Sequence, residues 1–293
     1  MISRVTTMTS MHASARNLQF AAAQLARTQE RASGFSAISR PSDDPAGTVN
    51  AMNVRAAQRS NDQYGRNIQD GNGWLATVDG ALTATTSLLQ RARDLTLQGA
   101  NDGAVSPTQR EAIAAELETI RDLLLTEANT SYLGRNVFAG NSDGGHAFAA
   151  DYTFTGGQGT VERRIADGAT VRVDVDGSDV FGSGAASMFA TIDAIVADLR
   201  GGVNVGVRIA ALDVHRDDVL HAHAEAGARH GTVLDAASAN LTAKVDLEAM
   251  RSSIEDLDIG ETAIELKMQE VAYQAALSAT ARAVRPTLMD FLR

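Results

Sequence analysis

Apolar residues recur along much of this chain at alternating steps of three and four, the spacing of helices that bury one face in a coiled coil. Near the N-terminus these positions are Met8, Met11, Ala15, Leu18, Ala22 and Leu25. Further on they are Leu75, Val78, Leu82, Thr85, Leu89 and Ala92, and then Ile113, Leu117, Ile120 and Leu124. The pattern therefore predicts at least three long helices.

Glycine, proline and capping residues in the sequence indicate where these helices end and begin. Gly34 lies where the first helix would end, and the stretch SRPSDDPAG, residues 39 to 47, follows it. Pro41 prevents the first helix from running on, while Asp44 can cap a new helix whose first residue is Pro45. Ser106, Pro107 and Gln109 have the spacing of a capping box and predict another helix start.

The middle of the chain changes character. From Gly140 to about Gly184 it is rich in Gly, Asp and Thr, and the stretch TVRVDVDG alternates valines with polar residues, which predicts a small β-rich insertion. Helix is expected to return by about Ser187, to break at RGGVNVG and to resume near Val207.

The last part of the chain carries two apolar faces. One heptad register holds Leu247, Met250, Ile254, Leu257, Glu261, Ile264, Met268, Val271 and Ala275. A second face, offset from it, holds Leu266, Tyr273, Leu277 and Val284. A helix that is apolar on two faces needs more than one neighbour. The N-terminal helix has alanines at two of its six positions and should be marginal alone. We therefore expect both ends to become ordered when several copies pack.

Composition narrows the class of protein. The chain has 293 residues, is 44% hydrophobic and only 4% aromatic, and carries a net charge of −10 with no basic run, which argues against nucleic-acid binding. It has no cysteine, so disulfides and thiolate metal sites are excluded. No apolar stretch is long enough to span a membrane. The first residues also lack the apolar segment of a secretory signal, so export would need another route.

Motifs of catalysis and cofactor binding are weak. Four histidines, His215, His221, His223 and His230, do not share one helix face, so a solvated helix surface is favoured over a metal site. The stretch DVDGSD lacks the glycine position and final glutamate of a calcium loop. The glycine-rich turns lack the Lys-Ser/Thr of a phosphate loop. Asp43 and Asp44 are best explained as helix-start residues, and Trp74 as core. We predict neither enzyme nor cofactor.

Several stretches resemble one family. RASGFSAISRPSDDPAG near the start and DIGETAIELKMQEVAYQAALSATARAVRPTLMDFLR at the end look like the paired terminal regions of the flagellin superfamily. The prolines in PSDDPAG, the stretch YLGRNVFAGNSDGGHAF and the stretch VRPTLMDFL are most similar to its hook-associated protein 3 branch, the hook–filament junction proteins. AGARHGTVLDA is shared by both branches. The resemblance covers roughly residues 1 to 145 and 205 to 293.

The resemblance implies a mainly α fold in which both chain ends form long helical coiled-coil rods around a small β-rich inserted domain. Five segments are expected: 1–38 as the N-terminal helix of an inner assembly domain, 39–140 as the first part of the helical rod domain, 141–186 as the β-rich outer insertion, 187–257 as the second part of the rod domain, and 258–293 as the C-terminal helix of the inner domain. Pro41, Asp43, Asp44 and Pro45 form the break between the first two.

The resemblance also implies a structural role outside the cell. Members are exported unfolded, without a cleaved signal peptide, through the flagellar type III apparatus, with a chaperone on the C-terminal helix. They form a homo-oligomeric ring that joins hook-associated protein 1 to flagellin. The expected assembly interface is Met8, Met11, Leu18, Leu25, Ile264, Leu266, Met268, Val271, Tyr273, Leu277, Val284 and Leu288. A short flagellin is the alternative, and an adhesin that uses aromatic residues of the insertion is a more remote one.

Overall fold

The computed structural model describes residues 7–101, 106–142, 144–157 and 159–284. Its helices are α1 (Thr7–Gly34), α2 (Pro45–Gly99), α3 (Pro107–Ala128), α4 (Gly177–Phe181), α5 (Met188–Gly201), α6 (Ile209–Glu255) and α7 (Ile259–Val284). Its strands are β1 (Ser131–Tyr132), β2 (Arg135–Asn136), β3 (Glu162–Ala166) and β4 (Ala169–Arg172). The predicted fold class, mainly α with long helices and a small β-rich insertion, is confirmed.

The chain divides into two compact units. The terminal unit combines Met1–Arg59 with Lys244–Arg293, and the central unit is Ser60–Ala243. The division into five segments expected from the sequence stays a prediction.

Within the central unit, α2, α3, α5 and α6 surround one hydrophobic core. The apolar positions predicted on α2 and α3 are all buried there: Leu75, Val78, Leu82, Thr85, Leu89, Ala92, Ile113, Leu117, Ile120 and Leu124. Trp74 is only 2% exposed, so its predicted place in the core is confirmed. The helical period of the sequence thus predicted the buried faces of this unit correctly.

A ladder of polar contacts joins α2 and α6 beside the core. Asn61 and Asn240 exchange side-chain and backbone hydrogen bonds of 2.8 to 3.1 Å. The ring of His230 lies 2.8 Å from the Asn72 amide oxygen, and that of His223 lies 2.7 Å from Asp79. Residue numbers rise on α6 as they fall on α2, so the helices are antiparallel.

The β-rich stretch packs on the same core. Phe148 contacts Phe181 and Phe189 with ring centroids 5.6 and 5.5 Å apart, and Phe138 lies 5.1 Å from Phe181. The strands β3 and β4 pair antiparallel, with Arg163 opposite Val171. These phenylalanines come from residues before and after the hairpin, so this stretch and the helices share one interior.

In the stretch TVRVDVDG, burial does not follow the simple alternation of valines and polar residues. Val171, Val173 and Val175 are buried as expected, but Asp174 is also only 1% exposed. Its carboxylate accepts the Val161 amide at 2.6 Å and pairs with Arg172 at 2.9 Å, which balances the buried charge. Asp176 caps α4 by accepting the Ser178 amide at 2.8 Å. These carboxylates hold the fold and do not form a calcium loop.

Helix boundaries follow the predicted caps, with two corrections. The Ser106–Gln109 capping box is present, with both reciprocal hydrogen bonds. The first helix does end at Gly34, but the left-handed residue after it is Phe35, at φ 51°. The single register predicted from Leu247 to Ala275 is wrong, because α6 ends at Glu255. Asp258 then caps α7 by accepting the Glu261 amide at 3.0 Å.

A three-residue network ties this β-rich stretch to α3 and α5. The Tyr152 hydroxyl donates to Asp193 on α5 at 2.7 Å, and Arg121 on α3 donates to the other oxygen of Asp193. Burial, followed by this hydrogen bond, raises the pKa of Tyr152 to about 12. The neutral phenol therefore contributes to stability at neutral pH.

We expect Tyr152→Phe to lower the unfolding free energy by about 1 kcal/mol, the worth of one hydrogen bond. Tyrosine titrates near pH 10 when unfolded. Because its pKa is raised in the folded chain, its contribution is present below pH 10 and is lost as the pH rises towards 12. Urea melts from pH 8 to 11.5 should therefore show a smaller alkaline loss in Tyr152→Phe than in the wild type or Tyr64→Phe. Equal losses in all three would contradict the role of Tyr152.

Candidate assembly surface

The terminal unit is built on an antiparallel contact between α1 and α7. Near one end, Arg31 pairs with Glu265 at 2.9 Å. Near the other, the Thr280 hydroxyl donates to the Ser14 carbonyl at 3.4 Å. These two links bracket the contact along most of both helices, so α1 and α7 form a helical hairpin of distant sequence segments.

The inner side of this contact combines buried threonines with half-buried polar, small and apolar residues. Thr28 and Thr262 are 1% and 6% exposed and are the most buried described residues of the two helices. Along α7 the half-buried positions step by three and four through Gln269, Tyr273, Ala276 and Thr280. None of the described residues of this unit contributes to the large hydrophobic core. Among the described residues of the hairpin, apolar side chains are therefore at most half-buried.

The most apolar side of α7 is exposed to solvent. Ile264 is 65% exposed, Met268 67% and Val271 55%, and they share one helix face at steps of four and three. These residues belong to the heptad register predicted near the C-terminus, which the single copy does not bury, and their expected place in an assembly interface stays a prediction. The intrachain contact instead uses the neighbouring side, where Leu266 and Tyr273 are half-buried. The strongest hydrophobic period of α7 thus marks a surface with no partner among the described residues. We call Ile264, Met268 and Val271 the α7 apolar face.

The other predicted interface residues divide by exposure. Leu277 is 45% exposed and Met11 37%, while Leu18 and Leu25 are half-buried on α1. Leu288 lies outside the described residues, as do the side chains of Met8 and Val284. Phe20, 67% exposed on α1, was not on the predicted list, because it lies off the three-four spacing that selected the others.

In the break between α1 and α2, which contains Pro41, Asp43, Asp44 and Pro45, helix α2 starts at the predicted residue. Pro45 is its first residue, and the Asp44 carboxylate accepts the Gly47 amide at 2.9 Å. Asp43 closes the preceding turn, where its carboxylate accepts the Arg40 amide at 2.9 Å. Pro41 lies exposed in the turn. The two acids are therefore cap and turn residues and do not form a carboxylate pair for catalysis.

Sequence reasoning missed the residues that fix this break to the C-terminal half. Glu255, 9% exposed at the end of α6, accepts Arg55 at 2.8 Å, and its carbonyl accepts the Ala37 amide at 2.8 Å. Gly47 was also missed: a Cβ there would overlap the Asp44 carboxylate and lie 2.9 Å from Ile38. A glycine three residues after a capping acid was the only available signal for it.

Other sites considered from the sequence are not formed. His215 contacts Thr191, His223 contacts Asp79 and His230 contacts Asn72, so each ring has a separate partner. Within residues 7–101, 106–142, 144–157 and 159–284, no group of His, Asp and Glu could hold a metal ion. In the same part of the chain, no helix is sufficiently long and apolar to cross a membrane.

The aromatic residues of the insertion do not form an exposed patch. Phe148, Phe181 and Phe189 are at most 2% exposed, and Tyr152 and Phe154 are half-buried. A surface of stacked rings, which a sugar-binding adhesin would need, is thus not supplied by these five residues.

The architecture defines a class of protein with long helices and a small β-rich insertion, whose ends pair and leave an apolar face open. Residues 5–143 match the family model described as the bacterial flagellin N-terminal helical region. Flagellin B of Vibrio anguillarum is 35% identical over 144 residues, which is 49% of this chain and 38% of that protein. Flagellin A of Vibrio cholerae is 36% identical over 138 residues, 47% of this chain and 36% of that protein. The matches thus span well under half the length of these flagellins.

Solved structures agree on the fold. FlgL of Bacillus cereus superposes with a TM-score of 0.60 at 20% identity over 68% of this chain and 99% of that structure. Flagellar hook-associated protein 3 of Legionella pneumophila superposes with a TM-score of 0.62 at 14% identity, over 69% of this chain and 98% of that structure. The predicted resemblance to the flagellin superfamily is confirmed, with hook-associated protein 3 structures as neighbours in fold.

We expect Met268→Asp to leave the single copy folded, because the side chain already lies in water, where a charge changes stability by about 0.5 kcal/mol or less. Leu117→Asp, at a position with no exposure, should unfold the central unit, because it buries an unpaired acid. Circular dichroism melts of both purified variants provide the test. Loss of the folded state in Met268→Asp would show that the α7 apolar face is covered within one copy.

We expect Asp44→Ala to destabilise the start of α2 by about 1 kcal/mol, because the Gly47 amide loses its acceptor. Asp44→Asn is the matched control, since asparagine caps as well as aspartate does. Amide hydrogen exchange at residues 46–48 should be faster in Asp44→Ala only. Equal exchange in the wild type and both variants would mean that the cap does not define this boundary.

Proposed function

We propose that this protein is a structural component of the bacterial flagellum, a self-assembling ring between the hook and the flagellin filament. The α7 apolar face is the observation that carries the proposal. It is a row of large side chains, each more than half exposed, on a helical hairpin in which no described apolar residue is fully buried. Contiguous exposed apolar surface of this kind marks a protein contact.

Energetics favour further copies of the same chain as the neighbours of this face. Full burial of one side chain of this size stabilises a contact by about 1.5 to 3 kcal/mol, so three of them can offset the ordering of an otherwise marginal hairpin. In a ring every copy offers the same face and finds a neighbour. The central unit, which has a complete core, needs no such help and can fold before assembly.

The resemblance to the flagellin superfamily supports the remaining assignments. In this proposal the ring lies between hook-associated protein 1 and flagellin, and the protein leaves the cell unfolded through the flagellar export apparatus. A flagellar export chaperone covers the C-terminal helix before export. The exposed side chains of α7 fit that role, because an apolar helix face needs cover in the cytoplasm. The role requires no catalytic site and no cofactor.

A short flagellin that forms the filament itself is the second candidate. The observation that favours it is the match of residues 5–143 to the flagellin model, together with 34% to 36% identity to several Vibrio flagellins. The solved structures favour the junction, because those of similar fold include FlgL proteins. Both candidates use the same terminal hairpin, so the position of the protein along the flagellum separates them better than its fold does.

The test is a deletion strain examined by electron microscopy. We expect hooks without filaments, with flagellin lost into the medium, and restored filaments when the gene is returned. Met268→Asp, which should fold normally, should fail to restore them, whereas an exposed control change such as Thr232→Asp on α6 should restore motility.

Immunogold labelling of complemented cells then separates the two candidates. Label confined to the boundary between hook and filament supports the junction. Label along the whole filament would identify a flagellin and overturn the junction assignment. Filaments that persist in the deletion strain would overturn both.

A further inference from the structure

The buried face of α2 includes one polar residue whose hydroxyl makes no hydrogen bond. Thr85 has no exposed surface and lies between Leu82 and Leu89 on the same helix face, at steps of three and four. Within the part of the chain that the structure describes, its Oγ1 atom has neither a donor nor an acceptor. A hydroxyl that leaves water without gaining a hydrogen bond costs free energy. Thr85 therefore lowers the stability of the core that it helps to fill.

Other threonines of α2 show that this missing hydrogen bond is specific to position 85. The hydroxyls of Thr77, Thr86 and Thr96 each donate to the carbonyl four residues earlier, at 2.7 to 2.9 Å. Thr96 is as buried as Thr85, and its hydroxyl still donates to the Ala92 carbonyl. A buried threonine in this helix can therefore satisfy its hydroxyl locally. Valine has the same shape as threonine without the hydroxyl, so it would fill position 85 at lower cost.

The core around α2 contains further buried donors of the same kind. The Nε1 atom of Trp74 and the Nδ2 atom of Asn136 have no acceptor among the described residues, and the two side chains are 2% and 3% exposed. Thr85 is the one of these three for which an apolar residue of equal shape exists. It is therefore the position at which the effect of an unsatisfied polar atom can be measured without a change in packing.

We propose that Thr85 keeps the central unit easy to unfold, and that the folded chain can be exported because of it. This inference rests on the function proposed above, in which the protein leaves the cell unfolded. No described apolar residue of the α1–α7 hairpin is fully buried, whereas the central unit has a large hydrophobic core. Unfolding of the central unit is thus the larger energetic step. A more stable central unit would be unfolded more rarely, and fewer chains would be ready for export at any moment.

Urea unfolding of the purified full chain tests the first part of this proposal. The only tryptophan of the chain, Trp74, is buried in the central unit, so its fluorescence reports the unfolding of that unit. Thr85→Val should lower the unfolding equilibrium constant by about tenfold. Thr96→Val is the matched control, because it removes a buried hydroxyl that is hydrogen-bonded, and it should give no gain in stability. Thr85→Val that is no more stable than the wild type would overturn the proposal.

Export is then measured in the deletion strain, as the fraction of newly made protein that leaves the cells, counted in flagella and medium together. Thr85→Val should leave several-fold more slowly than the wild type, because less of it is unfolded. Ile120→Val removes one methyl group from the core, where Ile120 is 4% exposed, and lowers stability by a comparable factor. The double variant Thr85→Val/Ile120→Val should therefore recover both wild-type stability and wild-type export.

The outcomes separate this inference from the ring. If Thr85→Val is more stable but is exported at the wild-type rate, the inference is overturned and the ring proposal stands. A double variant that regains wild-type stability but is still exported slowly would overturn it too, because stability would not be the cause. If the wild-type protein itself stays inside the cells, the export route proposed above fails, and this inference fails with it.

Discussion

The contact between α1 and α7 is the interaction on which the terminal unit depends. It joins the two ends of the chain with an ion pair, two buried threonines and half-buried small side chains, while Ile264, Met268 and Val271 lie in water. A hairpin with this distribution is inverted relative to an ordinary amphipathic pair. In the proposed ring, a neighbour would supply the apolar burial that the hairpin lacks in the single copy, so stability and assembly would be coupled at the same helix.

The central unit distributes its apolar side chains in the opposite way. Its apolar helix faces are buried together, and the phenylalanines around the β-rich stretch extend the same core into the insertion. Even its buried charge is balanced, since Asp174 has an amide donor and an arginine. The difference between the units arises from where leucine and phenylalanine side chains are placed. The central unit buries them in its interior, whereas Ile264, Met268 and Val271 of the terminal unit are exposed in the single copy.

Local capping fixes the points at which helices start. Asp44, Ser106, Asp176 and Asp258 each accept a backbone amide at a helix start. Glu255 then joins the end of α6 to α2 through its side chain and Arg55, and to the turn after α1 through its carbonyl and the Ala37 amide. A capping residue acts within one helical turn, whereas Glu255 acts across about two hundred residues of sequence. The caps define helix starts, and long-range contacts of this second kind determine where the helices are held.

The sequence by itself determined the fold class, the helix starts at Pro45 and Pro107, and the buried faces of α2 and α3. Each of these follows from local capping or from a period that buries one face. Which face of α7 is buried was decided only in the tertiary structure. Periodicity identifies the most apolar face of a helix but not the face that its neighbour meets, and here α1 meets the more polar side. The burial of Asp174 and the contacts of Glu255 were equally invisible in the sequence, because their partners are distant in the chain or are backbone groups that any residue could supply.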